Sequence, residues 1–275
     1  MTALLELSGL TRRYAGLVAV DGVDMQVAAG GVHAVIGPNG AGKTTLFNLV
    51  SGLAAPSAGT VRLAGHDVTR LPPERRAALG LGRTFQNIRV FAAMTVLENV
   101  LAGLHARLRA PLPAIVLRLP GFRAEERAAV ARARAALDLV GLADRAELRA
   151  GVLSYGDQRR LESARAMAPE PRLLLLDEPA AGMNPAETEA LARLVRSLCG
   201  LGATVLLVEH DMGFVMDISD RVTVLNFGRR IFEGAPAAVR QEPAVIEAYL
   251  GHKMAARLAA RQAVPAAKPQ GASQA

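Results

Sequence analysis

Apolar positions along the chain alternate with two different periods, and the change of period marks the elements. The stretch Val23–Val27 (VDMQV) alternates apolar and polar residues, as a half-buried strand does. VHAVI (Val32–Ile36) is short and almost wholly apolar, the pattern of a parallel strand covered on both faces. Residues 3–36 therefore read as strands. LFNLVSG then turns helical and stops at Gly52, and GTVRLAG (Gly59–Gly65) is a short strand between glycines. A short helix over 73–80 is expected next, followed by a strand around Arg83–Phe85. From Leu97 to Ala150 the strand signal disappears into Ala, Leu and Arg. There AEERAAVARARAALDLVG predicts a helix ended by Gly141. A further helix starts at Ser154. LLLL (Leu173–Leu176) and TVLLV (Thr204–Val208) predict two buried strands with a helix over Pro185–Cys199 between them. RVTVLNFGRRIFEG predicts a hairpin turning near Phe227–Gly228, and the segment after Pro265 is low in complexity and expected to be disordered. No internal repeat is visible.

Composition narrows this. A chain of 275 residues with 51% hydrophobic residues can bury a sizeable core, but with no Trp and 4% aromatics that core is Ala, Leu and Val. No apolar run approaches the roughly 18 residues of a membrane span. The N-terminus has neither the basic region nor the apolar length of a signal peptide, so a cytoplasmic protein is expected. The single Cys199 excludes an internal disulfide and a cysteine-rich metal site, and reads as a small core residue. The net charge of +7 invites an acidic partner, nucleic acid or anionic lipid. Yet the lysines are only Lys43, Lys253 and Lys268, the arginines are scattered, and no basic run carries interleaved aromatics. Solvated faces account better for the charge, and no nucleic-acid partner is expected. Lys253, Arg257 and Arg261 share a face if their segment is helical, and solvent rather than lipid is the expected surrounding.

The candidate chemistry begins where VHAVI ends. Gly37–Thr44 fits G-x-x-x-x-G-K-[ST], between a strand pattern and a helix pattern. Its glycines let backbone N–H groups converge on phosphate oxygens, and the helix start adds partial positive charge. Gly37, Pro38, Asn39, Gly40, Ala41, Gly42, Lys43, Thr44 and Thr45 are the candidate phosphate cradle. Lys43 is assigned to the β- and γ-phosphates and the Thr44 hydroxyl to Mg²⁺. Asp177 and Glu178 close LLLLDEP at the strand end where ligands of open parallel sheets bind. Asp177 is assigned to the metal and Glu178 to the attacking water. TVLLVEHD delivers Glu209, His210 and Asp211 to the same edge, with His210 the candidate donor to the γ-phosphate. In LSYGDQ, Ser154 and Asp157 form a capping box. Gly156, costly in a first helical turn, suggests that some group approaches the backbone there. This helix start is a second anion site, and the residues alone do not say whose phosphate it meets.

GPNGAGKTT, TFQNIRVF, LSYGDQ, LLLLDEPAAGMNP and VEHD occur in the order seen in ATP-binding subunits of ABC transporters, which the chain resembles over about residues 4–251. The resemblance implies an α/β fold: a P-loop ATPase core with a mostly parallel sheet, an antiparallel β subdomain and an inserted helical subdomain. The ATPase domain is expected over 1–252, with the helical subdomain at about 87–168, and a tail over 253–275. ATP and Mg²⁺ are implied, as is a head-to-tail pair of ATPase subunits, identical or not. In such a pair Ser154 and Gly156 cap the nucleotide of the other subunit. Tyr14 matches the aromatic that stacks on adenine. Gln86 matches the catalytic-site glutamine that touches Mg²⁺ and links the site to the membrane partner. Asn184 stands where the family usually has an aspartate in its dimer-crossing loop, keeping the carbonyl without the charge. EPAAGMNPAETE, VEHDMGFVMDISDRVTVLN and EGAPAAVRQEPAVIEAYLG are similar to an ATPase subunit of branched-chain amino acid importers. Related importers of urea or short amides use similar subunits. Transmembrane permeases, and indirectly a substrate-binding protein, are the implied partners, placing the chain at the cytoplasmic face of the membrane. Ile88, Val90 and Phe91 are expected to form the permease dock. The alternatives are a soluble ABC-type ATPase acting on DNA or the ribosome, and the ATPase of an exporter.

Overall fold

The computed structural model describes residues 3–84, 89–105, 111, 117 and 119–250, the side chain of Leu250 excepted. Two long antiparallel strands, β1 (Ala3–Tyr14) and β2 (Leu17–Ala28), open the chain. With β4 (Ala58–Leu63) and β5 (His66–Asp67) they form a sheet in the order β2-β1-β4-β5. The second sheet has the order β10-β9-β3-β8-β7-β6. Here β3 (Val32–Ile36), β8 (Thr204–Val208), β7 (Leu173–Asp177), β6 (Leu81–Arg83) and β9 (Arg221–Asn226) run parallel. Only β10 (Arg229–Gly234), the return of the predicted hairpin, is antiparallel.

The central strands are buried at every position because both faces are covered. Their period of two sorts side chains between two cores. Ala34, Ile36, Leu174, Leu176, Val205 and Leu207 face a helical layer. Val35, Leu173, Leu175, Leu206 and Val208 face the antiparallel sheet and α1 (Lys43–Ser51). The helical layer contains α3 (Val96–Leu104), α4 (Pro120–Leu139), α5 (Tyr155–Met167), α6 (Pro185–Gly200) and α7 (Met212–Ile218). Two short helices, α8 (Pro236–Val239) and α9 (Pro243–Leu250), follow the hairpin, and α2 (Pro73–Ala78) precedes β6. The expected fold class is the one observed. Among the described residues no helix is long and apolar enough to cross a membrane.

Four local expectations are corrected. The strand after α2 begins earlier than Arg83, because Gly80 at φ 97° turns the chain so that Leu81 pairs with Leu173 at once. The helix expected from Ala124 starts at Pro120, whose fixed φ suits a first helical position. At Ser154 only half of the capping box forms. The Ser154 hydroxyl accepts from the Asp157 N–H at 3.2 Å, but the Asp157 carboxylate turns to Ser154 Oγ, 2.8 Å, and Arg145 Nη1, 2.5 Å. Cys199 is half-buried at the edge of the core rather than within it. The proposed tail, 253–275, and residues Gln86 and Ile88 lie outside the described residues.

Candidate nucleotide site

The loop after β3 is shaped by what its glycines touch. A Cβ on Gly37, at φ 152°, would lie 2.1 Å from the Leu225 carbonyl oxygen. One on Gly42, at φ 101°, would lie 2.4 Å from that of Ala19. The loop is thus pressed between β9 and β2, and only glycine fits at either place. Helix α1 begins at Lys43 without a side-chain cap, so its first N–H groups point into the loop with no side-chain partner. Lys43 itself is buried, and its ammonium reaches back across the loop to the carbonyl oxygens of Gly37, 2.7 Å, and Pro38, 3.0 Å. Burial lowers its pKa, opposed by the charges of Glu178 and Asp177.

Neighbouring strands bring the acidic groups. Asp177 ends β7 opposite Val208 of β8, and the Glu178 N–H donates to the Val208 carbonyl at 2.9 Å. Glu178 sits at φ 49°, a left-handed conformation uncommon for a non-glycine residue. Its Oε1 is 2.6 Å from His210 Nε2, delivered by the end of β8. Lys43, Thr44, Thr45, Glu178 and His210 line one cleft of about 500 Å³, together with the loop backbone and with Leu17, Val18 and Phe227.

Asp177 is placed differently from its neighbour. It is buried, with Oδ2 3.1 Å from Arg83 Nη2. Burial raises its pKa, and Arg83 acts in the opposite direction. Arg83 also donates to Asn48 Oδ1, 2.9 Å, and Ser51 Oγ, 2.6 Å, tying β6 and β7 to the phosphate-loop helix. Of the three residues at the end of β8 only His210 lines the cleft. Glu209 is buried and accepts from the N–H groups of Ala180 and His210, both 2.8 Å, so it shapes the two loops. Asp211 caps α7 through the Phe214 N–H, 3.1 Å.

The remaining candidates stand apart. Tyr14, at the end of β1, is exposed, does not line the cleft, and carries the Arg12 guanidinium 4.4 Å from its ring centroid. Ser154 and Gly156 open α5, and Gly156 lines a different cleft with Arg159 and Glu187. The group close to Gly156 in this chain is Glu187, whose Oε1 lies 2.7 Å from where a Cβ would be. Asn184 caps α6, accepting from the Glu187 N–H at 3.0 Å while Glu187 Oε2 accepts from the Asn184 N–H at 2.9 Å. Among the described residues no three His, Cys, Asp or Glu side chains converge to hold a metal. Arg83 and Phe227 escape a motif reading. The visible signal for Phe227 is an aromatic where a tight hairpin favours Asn or Gly.

Comparison with known proteins shows the family and the fold. The ABC transporter family matches residues 20–181, and the family described as branched-chain amino acid ATP-binding cassette transporter matches residues 229–255. The chain is 48% identical over 249 residues to the high-affinity branched-chain amino acid transport ATP-binding protein BraF of Pseudomonas aeruginosa, covering 90% of this chain and 98% of that one. It is 45% identical, with the same coverage, to LivG, the protein of that description from Escherichia coli strain K12. Among solved structures, the ADP conformation of MJ1267, an ATP-binding cassette of an ABC transporter, superposes with a TM-score of 0.80 at 31% identity. It covers 92% of this chain and 100% of that one. The chain belongs to the ABC transporter family, and it is an ATP-binding cassette with the ATPase fold of that family.

Proposed function

We propose that the chain is the ATP-hydrolysing motor subunit of an importer for branched-chain or similar hydrophobic amino acids. One observation carries the mechanistic part. Lys43, Glu178 and His210 line one cleft at the C-terminal ends of the adjacent strands β3, β7 and β8. The substrate class rests on the relatives, whose names describe branched-chain amino acid transport.

In this reading the loop Gly37–Thr45 and the start of α1 hold the triphosphate, and the Lys43 ammonium exchanges its loop carbonyls for β- and γ-phosphate oxygens. Glu178 orients a water on the far side of the γ-phosphorus and takes its proton as the P–O bond to ADP breaks. His210 holds the Glu178 carboxylate and, with a nucleotide bound, donates to a γ-phosphate oxygen. The residues fit a hard cation such as Mg²⁺, which takes oxygen ligands: the Thr44 hydroxyl, which lines the cleft, would hold it together with the phosphates of a bound nucleotide. When bound, the metal would supply charge neutralisation to the triphosphate. Asp177, paired with Arg83, and Gln86 would be the further residues to hold it.

Ser154 and Gly156 do not line the phosphate cleft of their own chain, which accords with their acting on the nucleotide of a second subunit. Residues 87–168 serve as the helical subdomain that meets the permease, Phe91 being an exposed part of it. The assembly follows the cytoplasmic face of the membrane through its permeases. The test is reconstitution of the chain with its permeases in vesicles. ATP turnover and leucine uptake should rise together when amino-acid-loaded binding protein is added outside. Turnover indifferent to the binding protein, with the chain recovered away from membranes, would favour a soluble ATPase. Outward movement of substrate would favour an exporter.

A further inference from the structure

Among the described residues, three large apolar side chains stand exposed around the cleft: Phe227 at 84% exposure, Leu17 at 66% and Val18 at 38%. Phe227 is the most exposed of them and also sits in a costly backbone conformation. β9 and β10 are joined by two residues, Phe227 and Gly228, since Asn226 pairs with Arg229. Both have positive φ, 46° and 78°, as the tight hairpin turn requires. Asn, Asp or Gly suits the first of these positions, and a bulky aromatic does not. A phenyl ring that neither packs nor suits its turn is maintained against two local costs.

The turn is also fastened to the phosphate loop. The Gly228 N–H donates to the Ala41 carbonyl, 3.0 Å, and the Gly228 carbonyl accepts from the Asp21 N–H, 2.9 Å. A Cβ on Gly228 would meet the Ala19 carbonyl oxygen at 2.9 Å, and one on Gly42 would lie 3.4 Å from the Gly228 Cα. The root of the Phe227 side chain is therefore fixed relative to the backbone that carries Lys43. Tyr14, by contrast, lies outside the cleft lining and has one ring face taken by Arg12.

We propose that Phe227 packs against the base of the nucleotide, with Leu17 and Val18 completing an apolar wall beside the phosphate cradle. A ligand that is a polyanion at one end and a flat aromatic at the other matches this division of the cleft. The wall recognises base area rather than base edges, so ATP and GTP are held more tightly than CTP. This rests on the reading of the cradle as a nucleoside triphosphate site.

The test is equilibrium binding to the purified full chain of two probes, ATP with Mg²⁺ and inorganic tripolyphosphate with Mg²⁺. Phe227→Ala should weaken ATP about tenfold, the scale of one lost stacking contact, and leave tripolyphosphate unchanged. Phe227→Tyr should bind ATP as the parent does. Phe227→Asn suits the turn better, so it should melt higher while binding ATP as weakly as the alanine variant. Parental ATP affinity in Phe227→Asn would overturn the proposal. So would a parallel loss of both probes in Phe227→Ala, which would mark the ring as a support of the loop. Lys43→Ala should lose both probes, and if it retains them the nucleotide reading fails instead.

Discussion

His210 Nε2 and Glu178 Oε1 stand 2.6 Å apart, at the ends of two adjacent parallel strands. A carboxylate only accepts, so the imidazole is the donor, and it holds Glu178 on the cleft side of a left-handed backbone turn. A non-glycine in that conformation at the mouth of a site is strain kept for placement. Glu178→Gln keeps the shape and removes the basicity. Turnover should fall at least about 100-fold, the lower end of the range for a lost general base, while ATP affinity stays within a few-fold. Steady-state hydrolysis and nucleotide binding on one preparation check this, and gel filtration with ATP and Mg²⁺ should show a persistent pair of subunits. Hydrolysis at the parental rate would move the base to His210.

Lys43→Ala should abolish measurable turnover and weaken ATP binding by roughly 100-fold or more, the scale of a lost charge-assisted contact to two phosphates. The same change frees the Gly37 and Pro38 carbonyl oxygens, which Lys43 now satisfies. The variant should therefore also show faster amide exchange through residues 37–42 without nucleotide.

The Arg83–Asp177 pair is almost wholly buried, with side-chain exposures of 8% and 4%. Removing one partner leaves an uncompensated charge in the interior. Arg83→Met should cost about 3 kcal/mol of stability, and adding Asp177→Asn should restore a large part of it. Urea denaturation of the two variants decides. Equal stability in both would mean that hydrogen bonds from Arg83 to α1, and not the ion pair, are what matter.

How much of this is legible before folding depends on range. VHAVI, LLLL and TVLLV declare themselves as strands because short apolar runs bounded by glycine or acidic residues have few other uses. The phosphate loop is legible because its spacing is local. The partnership of Arg83 with Asp177 spans 94 residues, and nothing local in GRTF announces it. Glu209 illustrates the opposite failure. Its place in VEHD marks it for the same edge as His210, but its carboxylate is consumed by the backbone N–H groups of Ala180, His210 and Asp211. Strand order, which sets β7 beside β8 and β8 beside β3, decides which strand ends meet, and it is absent from any single segment.

His33 gives a pH dependence whose sign can be worked out. It is buried on β3 with Nε2 2.8 Å from Thr223 Oγ1. Burial lowers its pKa from 6.5 to about 4, with Glu233 opposing and Arg221 assisting. Between these values the unfolded chain binds a proton that the folded chain refuses. Stability is therefore full above about pH 6.5 and falls as pH drops toward 4, by up to about 3 kcal/mol. Denaturation at pH 7 and pH 5 should differ by about 2 kcal/mol, and His33→Gln should remove most of the difference.

Phe91 is 52% exposed, whereas Val90 is half-buried against the core. Asn99 clasps the Phe91 backbone, donating to its carbonyl at 3.0 Å and accepting from its N–H at 2.8 Å, and Arg165 stands 5.6 Å from the ring centroid. The ring can be removed without emptying the interior. Phe91→Ala should melt within about 1 °C of the parent and bind ATP normally, since surface changes cost little. Its recovery with permease-containing membranes should drop several-fold. Full recovery would remove Phe91 from the docking surface.

The clasp between the first strands and the last hairpin has a temporal consequence. Asp21 and Arg229 are joined across 208 positions of chain, and the backbone of Gly228 rests on the phosphate loop. A ribosome that has delivered the glycine-rich loop has made less than a fifth of the polypeptide, and the loop's outer support is still unwritten. At roughly 5–20 residues per second, on the order of ten seconds or more pass before that support emerges. A nascent chain halted before the hairpin should carry the complete ATP-binding signature and still fail to retain nucleotide, so competence arrives late and all at once.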